Sequence, residues 1–419
     1  MILYPFQQQA LDQTAKYNRV AYYLDMGLGK TYIGAEKAKQ LGTRVVLIVC
    51  QKSKIQDWIE HFKKHYQCCS YDLTKKSDFA NFFYSKPLVL TVAVINYELI
   101  FRRPALMNLE NFTLLLDESS QIQNEAAKRT KFIMKMNPLN VILLSGTPTS
   151  GKYENLWAQL NLIGWAITQH VYNTQYVNWK KIEVGGFPIR IVDKFEPYKN
   201  VDRLKRKMRE HGAVFLKTDE VFELPEQTFI EVSVSTTKEY RRFQKKRIIT
   251  IGEQAFIADT PLTLRLYSRM LCGYLNPAKL QAFRDLCKST NDRLIVFYNF
   301  DGELEALRQI INELEKPISE MNGHTKDLTA YESEENSVTL VQYQAGAMGL
   351  NLQKANKVIF FTPTDKSELF EQSKKRIHRI GQAKPCFYYL LTCVNSVEDN
   401  EIYPILGLRK ELTDDLFKN

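Results

Sequence analysis

The stretch Asp25-Met26-Gly27-Leu28-Gly29-Lys30-Thr31 decides how the first part of this 419-residue chain is read. It follows the apolar run Val20–Leu24 and precedes a helical pattern of Ile33, Ala35 and Ala38. Glycines at 27 and 29 let backbone N–H groups curl around phosphate oxygens, and the N-terminus of the following helix adds its dipole. In such a loop Lys30 neutralises the β- and γ-phosphates of a nucleotide, and the Thr31 hydroxyl ligates magnesium. Leu24 stands where the full GxxxxGK[ST] pattern has its first glycine, so the loop is a variant of it.

Further along, Asp117-Glu118 closes the run Leu114-Leu115-Leu116. An acidic pair at the carboxyl end of a buried strand sits where open α/β sheets bind ligands. Asp117 is expected to hold magnesium through water, and Glu118 to orient and deprotonate an attacking water. The alternative is a helix cap, for which Asp-Glu-Ser-Ser is also suited. Ser145-Gly146-Thr147-Pro148-Thr149 follows another apolar run, and its small hydroxyls could relay the state of a γ-phosphate. Gly346, Gly349 and Asn351 permit close backbone approach to a ligand. Near the other end, Gln372, Arg376 and Arg379 fall at i, i+4 and i+7, one face of a predicted helix, and present two arginines to a γ-phosphate.

Short Val/Ile/Leu-rich runs surround these motifs: Arg44–Cys50, Leu88–Ile95, Phe112–Asp117 and Val141–Gly146, then Arg293–Tyr298, Val338–Tyr343, Lys357–Thr362 and Phe387–Thr392. Without polar alternation they predict strands buried on both faces of parallel sheets, hence two α/β lobes. The middle, from about Gly151 to Thr260, is aromatic and basic, with the runs Arg203–Lys207 and Arg241–Arg247. It is read as a mainly helical insertion and linker. The expected domains are residues 1–150, 151–225 and 226–419.

Hydrophobic content of 44% and charged content of 25% are those of a soluble globular protein. A net charge of +10 favours a polyanionic partner. Seven cysteines without a CxxC pair predict a reduced, cytoplasmic or nucleoid-associated protein with no disulfide framework. His61, His65, Cys68 and Cys69 are better read as a helix end than as a metal site. The first residues lack the pattern of a signal peptide, and no apolar run approaches the roughly 18 residues of a membrane span. No membrane partner is expected.

Together these motifs resemble the Swi/Snf family of superfamily 2 helicase-like ATPases, over essentially the whole chain. The resemblance is carried by Met26–Thr31, Gly349-Leu350-Asn351-Leu352 and Arg376-Ile377-His378-Arg379-Ile380-Gly381-Gln382. Tyr4-Pro5-Phe6-Gln7 is similar to the family's adenine-reading motif, which implies that Gln7 contacts adenine. Nucleotide binding is then implied for Gln7, Gly27, Gly29, Lys30, Thr31, Gly349 and Gln372, and catalysis for Lys30, Asp117, Glu118, Arg376 and Arg379. Ile48–Ser53 and Val94–Glu98 resemble DNA-contacting motifs, which implicates Lys52, Ser53, Asn96 and Tyr97. Ile295–Phe300 and Met321-Asn322-Gly323 resemble the opening motifs of a second lobe, which implicates Asn299 and Gly323 in DNA contact. Leu224-Pro225 is similar to the inter-lobe linker.

The chain departs from the family in Asp117-Glu118-Ser119-Ser120, where Asp-Glu-Ala-His is usual, and in Gln344, where a Ser-Thr-Arg run is common. Asp-Glu-Ser-Ser and the short length are similar to a compact branch of phages and some bacteria. The resemblance implies two RecA-like lobes with ATP and Mg2+ in the cleft. Hydrolysis would move the protein along DNA, duplex by preference, and a protein partner would supply targeting, since no accessory domain is recognised. A strand-separating helicase acting on forked or single-stranded DNA stays open, as does a nucleotide-switched DNA-binding protein without processive movement.

Overall fold

In the computed structural model, described for residues 2–84, 89–184, 186–346 and 350–418, the chain divides into two compact units. One comprises Met1–Val221 with Glu411–Asn419, the other Phe222–Lys410.

The first unit is built on β1 (Arg19–Leu24), β2 (Val45–Cys50), β3 (Cys68–Asp72), β4 (Leu90–Asn96), β5 (Phe112–Asp117) and β6 (Asn140–Ser145). It adds an antiparallel hairpin, β7 (Trp179–Val184) with β8 (Phe187–Val192), and β9 (Ala213–Leu216). The main sheet runs β3-β4-β2-β5-β6-β1-β9, and every pairing in it is parallel. Its inner strands are apolar because both faces are covered: Val46–Cys50, Val92–Ile95, Leu114–Leu116 and Val141–Leu144 have no exposed surface. Register sets the height of the site. Leu144 pairs with Asp117 and Tyr23 with Ser145, so β1, β5 and β6 deliver their carboxyl ends at one level.

The second unit repeats the theme with β10 (Gln227–Ser235), the hairpin β11 (Ile248–Ile251) and β12 (Gln254–Ile257), β13 (Leu294–Tyr298), β14 (Ile318–Met321), β15 (Lys326–Asp327), β16 (Val338–Gln342), β17 (Lys357–Phe360) and β18 (Cys386–Val394). Its main sheet runs β10-β18-β17-β13-β16-β14-β15, parallel except for the short β14–β15 pair.

The expected strand runs correspond to β2, β4, β5, β6, β13, β16, β17 and β18; Leu88 lies outside the described residues. The mainly helical middle does not hold. Helices Gln169–Tyr176, Val201–Glu210 and Lys238–Lys246 are present, but so are both hairpins, and β9 is the edge strand of the first sheet. Residues 151–221 pack with the first unit. Lys205 and Lys217 there pair with Asp415 and Asp414 at 3.0 and 3.1 Å, and Tyr153 donates to the Leu412 carbonyl at 2.7 Å. Among the described residues no helix is long and apolar enough to cross a membrane.

Candidate functional site

In the first unit the residues singled out from the sequence gather at the carboxyl ends of β1, β5 and β6. Gly27 and Gly29 both take positive φ, and Gly29, at φ +71°, ψ +41°, starts the helix Lys30–Gln40. The first-turn amides of a helix have no partner within it and, with the helix dipole, make an anion site. Gly29 also lies under Gln7: a Cβ there would be 2.4 Å from Gln7 Nε2. Gln7 is buried, donates from Nε2 to the Leu28 carbonyl at 3.0 Å, and accepts from the Tyr4 amide at 3.0 Å. It therefore braces the loop. One amide hydrogen and one lone pair of this side chain remain outside those two bonds.

Gly29→Ala forces a left-handed conformation on an L side chain and pushes Gln7 off Leu28. A loss of about 2–3 kcal/mol in urea unfolding is expected, together with weakened nucleotide binding. Unchanged stability would show that Gly29 is not needed for this geometry.

Lys30 turns its ammonium onto the loop's own backbone, 3.0 Å from the Leu24 carbonyl and 3.4 Å from that of Asp25. Gly146, at the end of β6, leaves the space: a Cβ there would stand 3.3 Å from Lys30 Nζ. Thr218, just past β9, donates its hydroxyl to Asp25 Oδ2 at 3.0 Å, so the edge strand of the first sheet steadies the loop. Thr31 is half-buried in the first turn of the helix.

Asp117 ends β5, and its Oδ2 accepts from Trp58 Nε1 at 2.9 Å. Burial pushes this carboxyl above the usual carboxylate range, against the Trp58 hydrogen bond and the nearby Lys30 charge. A divalent cation would offset that burden, so the chemistry of the buried Asp117 carboxyl suits one. Glu118 takes φ +52°, ψ +61°, which costs a non-glycine residue about 1–3 kcal/mol and is a recurrent feature of functional sites.

Two neighbours hold the acidic pair in place. Tyr97, expected at the DNA, is 1% exposed, and its hydroxyl donates to the Asp117 carbonyl at 2.8 Å. It supports the acidic pair and presents nothing to solvent. Gln159, which sequence reasoning missed, is fully buried. It accepts from Ser119 Oγ at 2.8 Å and Tyr23 Oη at 3.2 Å, and donates to the Pro148 carbonyl at 2.8 Å. That network gives the Ser119 hydroxyl a partner where alanine is usual, and joins the acidic pair to Ser145–Thr149. Of the other expected DNA contacts here, Lys52 and Ser53 are exposed just past β2. Asn96 is buried and donates to Glu98 at 2.8 Å.

In the second unit, the helix Ser367–Lys374 ends before either arginine, so Gln372, Arg376 and Arg379 do not share one helix face. A turn carries the arginines instead. Arg376 is buried, with Nη1 3.4 Å from the Leu350 carbonyl, and its own carbonyl accepts from the Leu352 amide at 3.2 Å. Gln382 fastens this turn by donating to the carbonyls of Gln353, Ala355 and Ile377 at 3.1, 2.9 and 3.2 Å. Arg379 is half-buried, its guanidinium meets no carboxylate among the described residues, and burial lowers its pKa. Gln372 is buried; its Nε2 reaches Glu368 at 3.3 Å, and its Oε1 has no partner among the described residues. Gly349 lies outside the described residues.

Asn299 spends its amide on Thr362 and Pro363, at 2.8 Å to Thr362 Oγ1. Its backbone is held by Glu303, whose buried carboxyl is pushed up to about 6 by burial. Gly323 is exposed in the turn between β14 and β15, where Asn322 Oδ1 accepts from the amides of His324 and Thr325. Cys272, Cys393 and Glu398 bring possible metal donors within 4.8 Å of one another, but the Lys279 ammonium already neutralises Glu398 at 2.6 Å.

Two parallel sheets in tandem, the first with a glycine–lysine loop and an acidic pair at its strand ends, are the architecture of paired RecA-like lobes. The SNF2-related domain model matches residues 24–270 and the helicase conserved C-terminal domain model residues 278–381. The chain belongs to the SNF2-related family of helicase superfamily 2.

It is 23% identical to the mouse SWI/SNF-related matrix-associated actin-dependent regulator of chromatin subfamily A member 1, over 90% of this chain and 39% of that protein. It is 23% identical to the Drosophila melanogaster subfamily A-like protein 1, over 95% and 54%. To the Saccharomyces cerevisiae ISWI chromatin-remodeling complex ATPase ISW1 it is 22% identical, over 95% and 39%. The chain thus spans between two fifths and about half the length of these relatives. The Sulfolobus solfataricus SWI2/SNF2 ATPase core in complex with dsDNA overlaps 99% of this chain and 93% of its own, at 18% identity and a TM-score of 0.47, from which nothing further follows.

Proposed function

We propose that this chain is a DNA-stimulated ATPase that hydrolyses ATP at the Lys30 loop and uses the cycle to track along duplex DNA. Its main support is the Lys30 ammonium, folded onto the carbonyls of Leu24 and Asp25 beside the strand ends that carry Asp117 and Glu118. An ammonium whose bonds are to its own loop is set to exchange them for phosphate oxygens.

In this reading the amides of the loop and of the helix Lys30–Gln40 cradle the phosphates, and Lys30 neutralises them. The free hydrogen and lone pair of Gln7 suit the paired donor and acceptor of an adenine edge. Thr31 and Asp117 would hold magnesium, which when bound neutralises charge on the β- and γ-phosphate oxygens. Glu118 orients the attacking water and takes its proton. Arg376 and Arg379 offset the charge that develops on the transferred phosphoryl group, with Gln372 and Gly349 as further nucleotide contacts. Lys52, Ser53 and Gly323, all exposed, are the proposed DNA-backbone contacts. Asn96 and Asn299 shape the strand ends beside them.

A strand-separating helicase is the second reading, favoured by the hairpin β7–β8, where Phe187 stands 75% exposed. Steady-state turnover with no nucleic acid, single-stranded DNA, blunt duplex, forked duplex and RNA separates the two. Stimulation by blunt duplex is expected. Stimulation confined to single-stranded or forked DNA supports the helicase, and none at all leaves only a nucleotide-switched binding protein.

A further inference from the structure

Away from the strand-end motifs, the helix Lys238–Lys246 has the sequence Lys-Glu-Tyr-Arg-Arg-Phe-Gln-Lys-Lys, with Arg247 following. Successive residues advance about 100° around a helix. One side docks on the second unit: Tyr240 and Phe243 are buried, Gln244 donates to Ser268 Oγ at 2.6 Å, and Tyr240 Oη accepts from the Val397 amide at 2.9 Å. Lys238, Arg241, Arg242, Lys245 and Lys246 are all exposed, within an arc of about 140° opposite that side.

The pairs Lys238–Arg242, Arg241–Lys245 and Arg242–Lys246 set like charges one turn apart, an arrangement that destabilises a helix. A face that is merely solvated mixes its signs. This protein does so elsewhere, pairing Arg284 with Glu313, Arg308 with Glu320 and Lys357 with Asp292. None of the cations from Lys238 to Arg247 forms an ion pair among the described residues. Among the described residues of the helix, no exposed apolar side chain falls within that arc to serve as the anchor a folded protein partner would engage. Rows of unpaired guanidinium and ammonium groups at helical spacing suit a repeating line of phosphates.

We propose that this face is a docking surface for the phosphate backbone of nucleic acid, separate from the strand-end contacts. It rests on the DNA reading above for its choice of partner.

The test uses the full chain with Arg241→Gln, Arg242→Gln, Lys245→Gln and Lys246→Gln combined. Binding to a blunt duplex of mixed sequence is followed by fluorescence anisotropy, without nucleotide, from 50 to 200 mM salt. Each lost phosphate contact removes about 0.9 from the slope of log affinity against log salt. The variant is expected to lose about 2–4 from that slope and at least about tenfold in affinity. Its melting temperature should be unchanged or higher, because like-charge rows have been relieved.

A slope within about 0.5 of the parent's overturns the proposal. So does a parent that binds no duplex, or one that binds poly-glutamate more tightly than duplex. Because no nucleotide is present, the expected slope change in the variant together with no duplex-stimulated turnover in the parent refutes the translocase reading alone.

Discussion

Arg379→Ala should leave ATP binding intact and cut DNA-stimulated turnover by about 10³–10⁵-fold, the range of an arginine finger in phosphoryl transfer. The argument starts from a cost. Arg379 is half-buried, burial lowers its pKa, and no carboxylate among the described residues meets its guanidinium. A charge held that way disfavours the folded state unless a ligand supplies the counter-charge. Removing it should therefore leave the melting temperature unchanged or raise it, while turnover collapses. Loss of activity without loss of stability separates a role on phosphate from a role in folding. Arg379→Lys should recover little, because a point charge does not reproduce the planar fork of donors. A drop in turnover of less than about threefold for the alanine variant would remove Arg379 from the mechanism.

Lys30→Ala is the second large effect. Its ammonium contacts the loop backbone, and without it the loop offers a triphosphate amide dipoles but no side-chain cation of its own. Nucleotide affinity and turnover should both fall, with turnover down at least about 10²–10³-fold, as for loss of one preorganised electrostatic partner. The Leu24 carbonyl loses the Lys30 donor, at about 1 kcal/mol, while the Asp25 carbonyl keeps the Leu28 amide, so the melting temperature should drop slightly. Titration with a fluorescent ATP analogue alongside thermal unfolding checks both parts. Near-normal turnover would place the phosphate site elsewhere.

How much of this was legible in the sequence depended on burial. Central parallel strands announce themselves because both faces are covered and nearly every residue must be apolar, which is why β2, β5, β6 and β13 match their runs so closely. Edge strands escaped. β3 reads Cys-Cys-Ser-Tyr-Asp and β9 is four residues long, while β10 alternates exposed and half-buried residues along its length, a period-2 signal present in Thr228, Ile230, Val232 and Val234. The charge runs of the middle dominate its composition and suggest helix, and they do lie on helices; the two hairpins, one before the first run and one after the second, leave no comparable mark.

In the site, glycine spacing marked the loop because positive φ at Gly27 and Gly29 leaves few alternatives. The brace of Gln159 on Ser119 and Pro148 carries no local signal, since its partners are 40 and 11 residues away. Tyr97 shows what a motif leaves out: the resemblance implies DNA contact, and the structure adds a buried hydroxyl that donates to the Asp117 carbonyl. Helical spacing placed Arg376 and Arg379 on one face, but the helix stops at Lys374, and the turn held by Gln382 sets their positions.

The most direct test of the central claim, movement along duplex DNA powered by ATP, is displacement of a third strand from a triplex. The third strand lies on an otherwise blunt duplex that offers a long entry flank. ATP-dependent displacement that rises with the length of that flank, and that Glu118→Gln abolishes, is the predicted result. Duplex-stimulated ATP turnover with no displacement at any flank length would contradict the account.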